Sequence, residues 1–223
     1  MPSLTVENYV KTIYLIAARE HPGEAVATGE IAQGLSVSPG TVTGMLKTLS
    51  EANLATYTPY GGATLTPAGQ RLALMVLRRH RLLELFLVKT LHMPWDEVHE
   101  EAEHLEHAVS ERLVERIDAF LDHPSVDPHG DPIPRADGSL PVPDGVPLAQ
   151  LKKDDTFRLV RVVDQDPTFL RYLTECGLEL DMQGTLLENR PESGALIIQA
   201  GERLVALGLD AARKVLVTGP TAR

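Results

Sequence analysis

Between His80 and His107 the chain gathers imidazoles and carboxylates at the spacings that helices bring together. His80 and Glu84 are four apart at the end of one apolar-periodic stretch, and His99, Glu103, Glu106 and His107 follow in the run from Val98 to His107. Residues three, four and seven apart share a helix face. His99, Glu103 and Glu106/His107 should therefore form one stripe, and His80 with Glu84 an i,i+4 pair on the preceding helix. If the two helices pack, carboxylates converge that would repel one another out of water, and a divalent cation reverses the sign of that interaction. Nitrogen and oxygen donors without thiolate suit Mn2+ or Fe2+, with Zn2+, Co2+ and Cd2+ able to substitute in vitro. Residue by residue, a solvated acidic face that happens to hold histidines is the plainer account; the two-helix constellation is what points to a cation.

The elements that must carry these side chains can be read from periodicity and end signals. Val6, Tyr9, Val10, Ile13, Ile16 and Ala17 recur at three and four, predicting a helix over 5–18 with Thr5 as its cap and His21-Pro22-Gly23 as its stop. A short helix begins near Thr28, which offers a capping side chain, with Glu30 in its first turn. After the turn Leu35-Ser36-Val37-Ser38, a third helix has Ser38 as N-cap, Pro39 at its first position and Val42, Met45, Leu46 and Leu49 along one face to about Glu51. Two short helices around a tight turn make a helix-turn-helix, and the β-prone runs on either side of Pro59-Tyr60-Gly61-Gly62 add a hairpin, which together predict a winged helix.

Thr66-Pro67 opens a long helix to about Leu91, followed by helices from about Trp95 to Ala108 and from Ser110 to Leu121. Such a layer is too thin to bury itself, so a second copy of the chain is the expected cover. From Asp122-His123-Pro124 to Pro147 the chain is rich in Pro, Gly and Asp and reads as a linker. Beyond it, β-prone runs at Phe157–Val163, Gly184–Leu187, Ala195–Gln199, Arg203–Leu207 and Lys214–Val217, interrupted by a helix over Thr168–Cys176, predict a small β-barrel. The fold class is thus mainly α with a small β domain. Its expected divisions are a winged helix-turn-helix over 1–70, a helical metal-binding and dimerisation layer over 71–124, a linker over 125–147 and the barrel over 148–223.

Composition narrows the function classes. At 223 residues and 43% hydrophobic content the chain can bury one large core or two modest ones. Its longest apolar run, Leu82 to Leu91, is broken by Glu84 and Lys89, well short of the roughly 20 apolar residues of a membrane span. Met1-Pro2-Ser3-Leu4-Thr5 lacks the basic and apolar regions of a signal peptide, so the expected location is cytoplasmic, without membrane association. Cys176 has no second cysteine to pair with. The net charge of −10 is unevenly spread: residues 1–81 carry +2, 82–130 carry −9 and 131–223 carry −3. The acidity sits where a cation could use it, and the N-terminal third is free to approach phosphates. There, Ser38, Pro39, Thr41, Thr43 and Lys47 of the third helix, with Tyr57, Tyr60 and Gly61 of the wing, are the candidate contacts to a double-stranded DNA operator. The helix is poor in long base-reading side chains, which shifts the expected affinity toward phosphates and DNA shape.

Five motifs in order give the chain a family likeness over nearly its whole length. They are Glu7-Asn8-Tyr9-Val10-Lys11-Thr12-Ile13-Tyr14; Ser38-Pro39-Gly40-Thr41-Val42-Thr43; Arg79-His80-Arg81-Leu82-Leu83-Glu84; Val98-His99-Glu100-Glu101-Ala102-Glu103-His104-Leu105-Glu106-His107; and Asp127-Pro128-His129-Gly130-Asp131-Pro132-Ile133-Pro134. With these it resembles the diphtheria toxin repressor/manganese transport regulator family of metal-dependent transcription repressors. The resemblance implies a homodimeric DNA-binding repressor of metal-uptake genes, sensing Mn2+ and/or Fe2+, with an SH3-like (FeoA-like) C-terminal domain. It places a primary metal site on Asn8, Glu103, Glu106 and His107, an ancillary site on His80, Glu84 and His99, and further ancillary ligands near Asp164 and Gln165. Glu103 stands where iron-sensing members carry Cys, as in manganese sensors; Asn8 stands where members have Met or Asp, and Lys11 where some manganese sensors use Glu. Two rivals remain: a winged-helix regulator of an organic ligand, and a carboxylate-bridged di-metal enzyme suggested by Glu101-x-x-His104, which would need a second such motif that the helical layer lacks.

Overall fold

A computed structural model describes residues 3–20, 23–142, 145–190, 192 and 194–219. The chain divides into two compact units, Met1–His80 with Pro134–Ser139, and Arg81–Ile133 with Leu140–Arg223. The first unit begins with α1 (Leu4–Glu20), α2 (Thr28–Gly34) and α3 (Pro39–Glu51). Ser38 Oγ accepts from Thr41 N, and Pro39 occupies the first turn of α3, where no amide hydrogen is needed. The N-cap of α2 is Ala27 rather than Thr28. Alanine has no capping oxygen, and the Glu30 carboxylate reaches back to accept from Ala27 N at 2.8 Å instead. The expected stop of α1 at His21-Pro22 lies outside the described residues.

The wing is β1 (Ala55–Thr58) paired antiparallel with β2 (Gly62–Leu65). Gly62, at φ +85°, brings β2 so close to Val26 that a Cβ would meet the Val26 carbonyl oxygen at 2.5 Å. Val26 and Ala63 then exchange both backbone hydrogen bonds, which stitches the wing to the residue preceding the helix-turn-helix. Val10, Ile13, Ile31, Val42, Leu46, Leu49 and Ala63 form the core. Thr66 caps α4 (Pro67–Leu91), its hydroxyl accepting from Gly69 N and donating to the Asn53 carbonyl. The return segment Pro134–Ser139 belongs to this same unit: the buried Arg78 donates to the Pro134 carbonyl at 3.0 Å, and Arg135 and Ser139 close a turn.

The second unit takes the remainder of α4, α5 (Val98–Leu105) and α6 (Glu111–Phe120) around Leu82, Leu85, Ala102, Val114, Ile117 and Ile133. The sequence predicts a helix to Ala108. The α-helix instead ends at Leu105, because Ala108 N bonds back to Leu105 O in a tighter turn that leads into the Ser110 cap of α6. Leu113 and Phe120 remain exposed on α6, the pattern expected of a layer that another copy covers.

The β domain holds β3 (Val146–Pro147), β4 (Thr156–Val162), α7 (Pro167–Glu175), β5 (Gln183–Arg190), β6 (Ala195–Ala200), β7 (Arg203–Gly208), α8 (Leu209–Lys214) and β8 (Val215–Thr218). All pairings are antiparallel, in the order β3-β8-β4-β5-β6-β7. Leu159, Leu170, Leu173, Leu186, Leu196, Ile198 and Val217 fill its core. The short β3 and α8 are elements that periodicity did not predict. Among the described residues no helix is long and apolar enough to cross a membrane.

The segment expected to be a linker is ordered over much of its length. Asp127, Pro128, His129, Gly130 and Ile133 are buried, Val126 bridges to Pro132, and Val162 N donates to the His129 carbonyl at 2.8 Å. Pro143 and Asp144, within that expectation, lie outside the described residues.

Candidate metal centre and nucleic-acid interface

Glu84 is the buried hub of the second unit's polar interior, 1% exposed at its side chain. Its Oε1 lies 3.3 Å from His99 Nδ1, and its Oε2 lies 3.9 Å from His129 Nδ1. Asp127, fully buried, joins them: ligand atoms of Glu84, Asp127 and His129 all lie within 4.8 Å of one another. An Asx turn places His129, since Asp127 Oδ1 accepts from His129 N at 2.8 Å and from Asp131 N at 2.9 Å. The imidazole stacks on Trp95, ring centroids 5.9 Å apart, and its Nε2 lies 2.8 Å from the Trp95 carbonyl oxygen. A carbonyl only accepts, so Nε2 carries the hydrogen, and Nδ1 is the ring atom that faces the carboxylates. That Nδ1 is buried with no hydrogen-bond partner.

The arrangement suits a cation. Two bonds of about 2.1 Å span no more than about 4.2 Å, and His129 Nδ1 is 3.9 Å from Glu84 Oε2 and 4.0 Å from Asp127 Oδ1. The same distances are too long for hydrogen bonds. Burial, then the Glu84 and Asp131 charges, push the Asp127 carboxyl well above its ordinary range, while Arg81 and the Asp131 amide pull the other way. A positive charge in the pocket would offset that cost.

The ligand residues expected from the sequence draw on both units. In the first, Asn8 sits on α1, partly buried, and its Oδ1 is inaccessible to solvent and has no hydrogen-bond partner. The neighbouring Glu7 is held by Arg79 Nη2 at 3.0 Å in a buried ion pair. His80 is buried on α4, one turn before Glu84. In the second unit, His99 Nε2 and Glu103 Oε1 are 3.9 Å apart as an i,i+4 pair on α5. Glu106 and His107 follow the end of that helix rather than continuing its stripe. Glu106 is wholly buried, with Oε1 3.2 Å from His107 Nε2. Asp164 Oδ2 accepts from Lys214 Nζ at 2.6 Å, and Gln165 Nε2 donates to Asp131 Oδ2 at 3.2 Å. Asp127 and His129, by contrast, were not expected as ligands. The signal available in the sequence was an Asp and a His two apart, bracketing Pro128 inside a supposed linker.

On the helix-turn-helix and wing, Thr41 and Lys47 are exposed on α3. Ser38 and Thr41 hydroxyls bond each other at 2.9 Å, and Thr43 Oγ1 donates to the Pro39 carbonyl, so part of their capacity serves the helix itself. Tyr60 stands fully exposed at the wing tip with φ +62°, beside Gly61, whereas Tyr57 packs partly against the core.

Residues 1–63 match the family described as "Iron dependent repressor, N-terminal DNA binding domain", residues 66–135 "Iron dependent repressor, metal binding and dimerisation domain" and residues 146–219 "FeoA domain". The chain belongs to the diphtheria toxin repressor/manganese transport regulator family of metal-dependent transcriptional regulators. It is 30% identical to "Iron-dependent repressor IdeR" of Mycobacterium leprae (strain TN) over 96% of each chain. Among solved structures it is similar to a "Manganese-dependent transcriptional repressor complex with manganese", with TM-score 0.83 and 42% identity over 96% of this chain and 99% of that one. It is also similar to ScaR with bound Zn2+, with TM-score 0.74 and 34% identity over 97% and 99%. This kinship favours neither the organic-ligand regulator nor the di-metal enzyme.

Proposed function

We propose that the chain is a cytoplasmic, homodimeric repressor of metal-uptake genes that binds its operator in response to Mn2+, with Fe2+ as the alternative ion. The observation that carries the choice of a metal signal is His129 Nδ1, bare and buried between Glu84 and Asp127. The preference for Mn2+ rests on the donor set, which is nitrogen and oxygen throughout with Glu103 in place of a thiolate. Asn8, Glu103, Glu106 and His107 would hold one ion. Glu84, Asp127 and His129 would hold the other, to which the family resemblance adds His80 and His99. A bound cation would supply the positive charge that offsets the burial of Glu84, Glu106 and Asp127.

The chain's own residues do the rest. Asn8 offers a neutral amide oxygen from α1, the helix on which the helix-turn-helix packs. With ligands drawn from both units, the cost of ordering them is met before DNA arrives, so metal raises operator affinity and DNA in turn tightens metal binding. Lys47, Thr41 and Tyr60 supply the contacts to phosphates and groove edges, and Leu113 and Phe120 of α6 supply apolar area to the dimer. Operator gel shifts with Mn2+, Fe2+ or chelator in parallel test the proposal. Binding should require metal and should be lost in Glu106→Ala; a shift that survives chelation would overturn it.

A further inference from the structure

The Asp127–His129 pair is held from the β domain by a short chain of hydrogen bonds. Asp131 is the junction. Its carboxylate accepts from Arg81 Nη2 at 3.1 Å, from Gln165 Nε2 at 3.2 Å and from Arg161 Nε. Its backbone is tied reciprocally to Asp127: Asp131 N donates to Asp127 Oδ1, and Asp127 N donates to the Asp131 carbonyl, each at 2.9 Å. Arg161 lies on β4, opposite Leu216 of β8, and Gln165 lies in the connection to α7. Between them, Val162 N donates to the His129 carbonyl. Strand β4 and the turn after it thus grip the segment at His129 and at Asp131, on both sides of Gly130.

We propose that Asp131 is a positioning residue for metal ligation, and that the β domain contributes to sensing by bracing Asp127 and His129 through Arg161 and Gln165. The inference rests on the reading of Glu84, Asp127 and His129 as a cation site. Arg161 and Gln165 act by fixing Asp131, whose amide fixes Asp127 Oδ1. Residues that orient ligands in this way change metal affinity roughly ten- to a hundredfold when lost, without removing any ligand.

Trp95 is the chain's one tryptophan and stacks on His129, so its fluorescence reports a paramagnetic ion at that imidazole. The test is Mn2+ titration of the full chain, reading Trp95 quenching beside total bound Mn2+ from equilibrium dialysis. His129→Ala should abolish the Trp95-reported event. Asp131→Asn and Gln165→Ala should shift it to higher Mn2+, by roughly tenfold or more for Asp131→Asn, while the remaining bound Mn2+ and the far-ultraviolet circular dichroism stay as in the parent. Arg161→Lys, which keeps a donor, should restore most of what Arg161→Ala loses. Parent-like quenching in both Asp131→Asn and Gln165→Ala would overturn the bracing role alone. Parent fluorescence indifferent to Mn2+ would overturn the cation site and the bracing role with it.

Discussion

Gly130 and Gly138 make a matched pair, and replacing each by alanine separates two costs that a glycine can hide. Both have left-handed backbone, at φ +86° and +82°. Gly138 has nothing within 4 Å of the position a Cβ would take, whereas at Gly130 that Cβ would lie 2.1 Å from the Val160 carbonyl oxygen and 2.6 Å from Arg161 Cα. Gly138→Ala therefore carries only the conformational cost, about 1–2 kcal/mol. Gly130→Ala carries the same cost and also forces β4 away from the segment. The Val162-to-His129 hydrogen bond is then lost, about 1 kcal/mol, and buried groups are left unsatisfied at about 1–3 kcal/mol more. The total is roughly 3–6 kcal/mol. For a chain of this size each kcal/mol moves the melting temperature by roughly 2–4 °C. Thermal unfolding of the metal-free protein should fall by several degrees at most for Gly138→Ala and by at least twice as much for Gly130→Ala. Equal shifts would refute the argument that close approach, rather than φ alone, requires glycine at 130.

Asp127→Asn keeps an acceptor for the two amides but removes a carboxyl whose folded-state pKa is raised. Such a group contributes its stability in acid and loses it as pH rises through the folded value, because the unfolded chain releases the proton first. In chelator, the variant should melt higher than the parent at pH 8, with the gap closing toward pH 4; a parent that is the more stable at pH 8 would count against this. Asn8→Asp exchanges an amide oxygen for a carboxylate and should lower the Mn2+ concentration at half-maximal operator binding, read by fluorescence anisotropy of labelled DNA; an unchanged midpoint would remove Asn8 from the ligand set. Lys47→Ala should weaken binding to all DNA alike and reduce the slope of log K against log salt by about 1; loss of specificity with an unchanged slope would instead make Lys47 a base reader.

Local chemistry made most of the helical architecture legible. Ser38-Pro39, Thr66-Pro67 and Ser110 each announce a helix start by supplying an oxygen or omitting an amide, and the helices begin there. At Thr28, expected as a cap, the cap fell one residue earlier, on Ala27, which has no oxygen to announce it. Glu84 and Glu106 are buried, as carboxylates gathered for a cation would be. The Asp127–His129 pair was illegible for a physical reason. Pro, Gly and Asp are the residues of a loose linker and equally of a tight Asx turn, and the choice between them depends on β4, which lies some thirty residues further on. Likewise the short helix α8 has too few turns to leave a periodic signature.

The return of Pro134–Ser139 to the DNA-binding unit bears on how such a chain can be divided in a gene. The helical family module ends at residue 135, but Arg78 is satisfied by the carbonyl of Pro134, and the turn from Arg135 to Ser139 is part of the same body. A stop codon or recombination junction before Pro134 would take from Arg78 the buried acceptor at the Pro134 carbonyl, whereas one placed after Ser139 spares it. The inherited segment boundary and the mechanical one are a few residues apart, and only the second leaves the DNA-binding half whole.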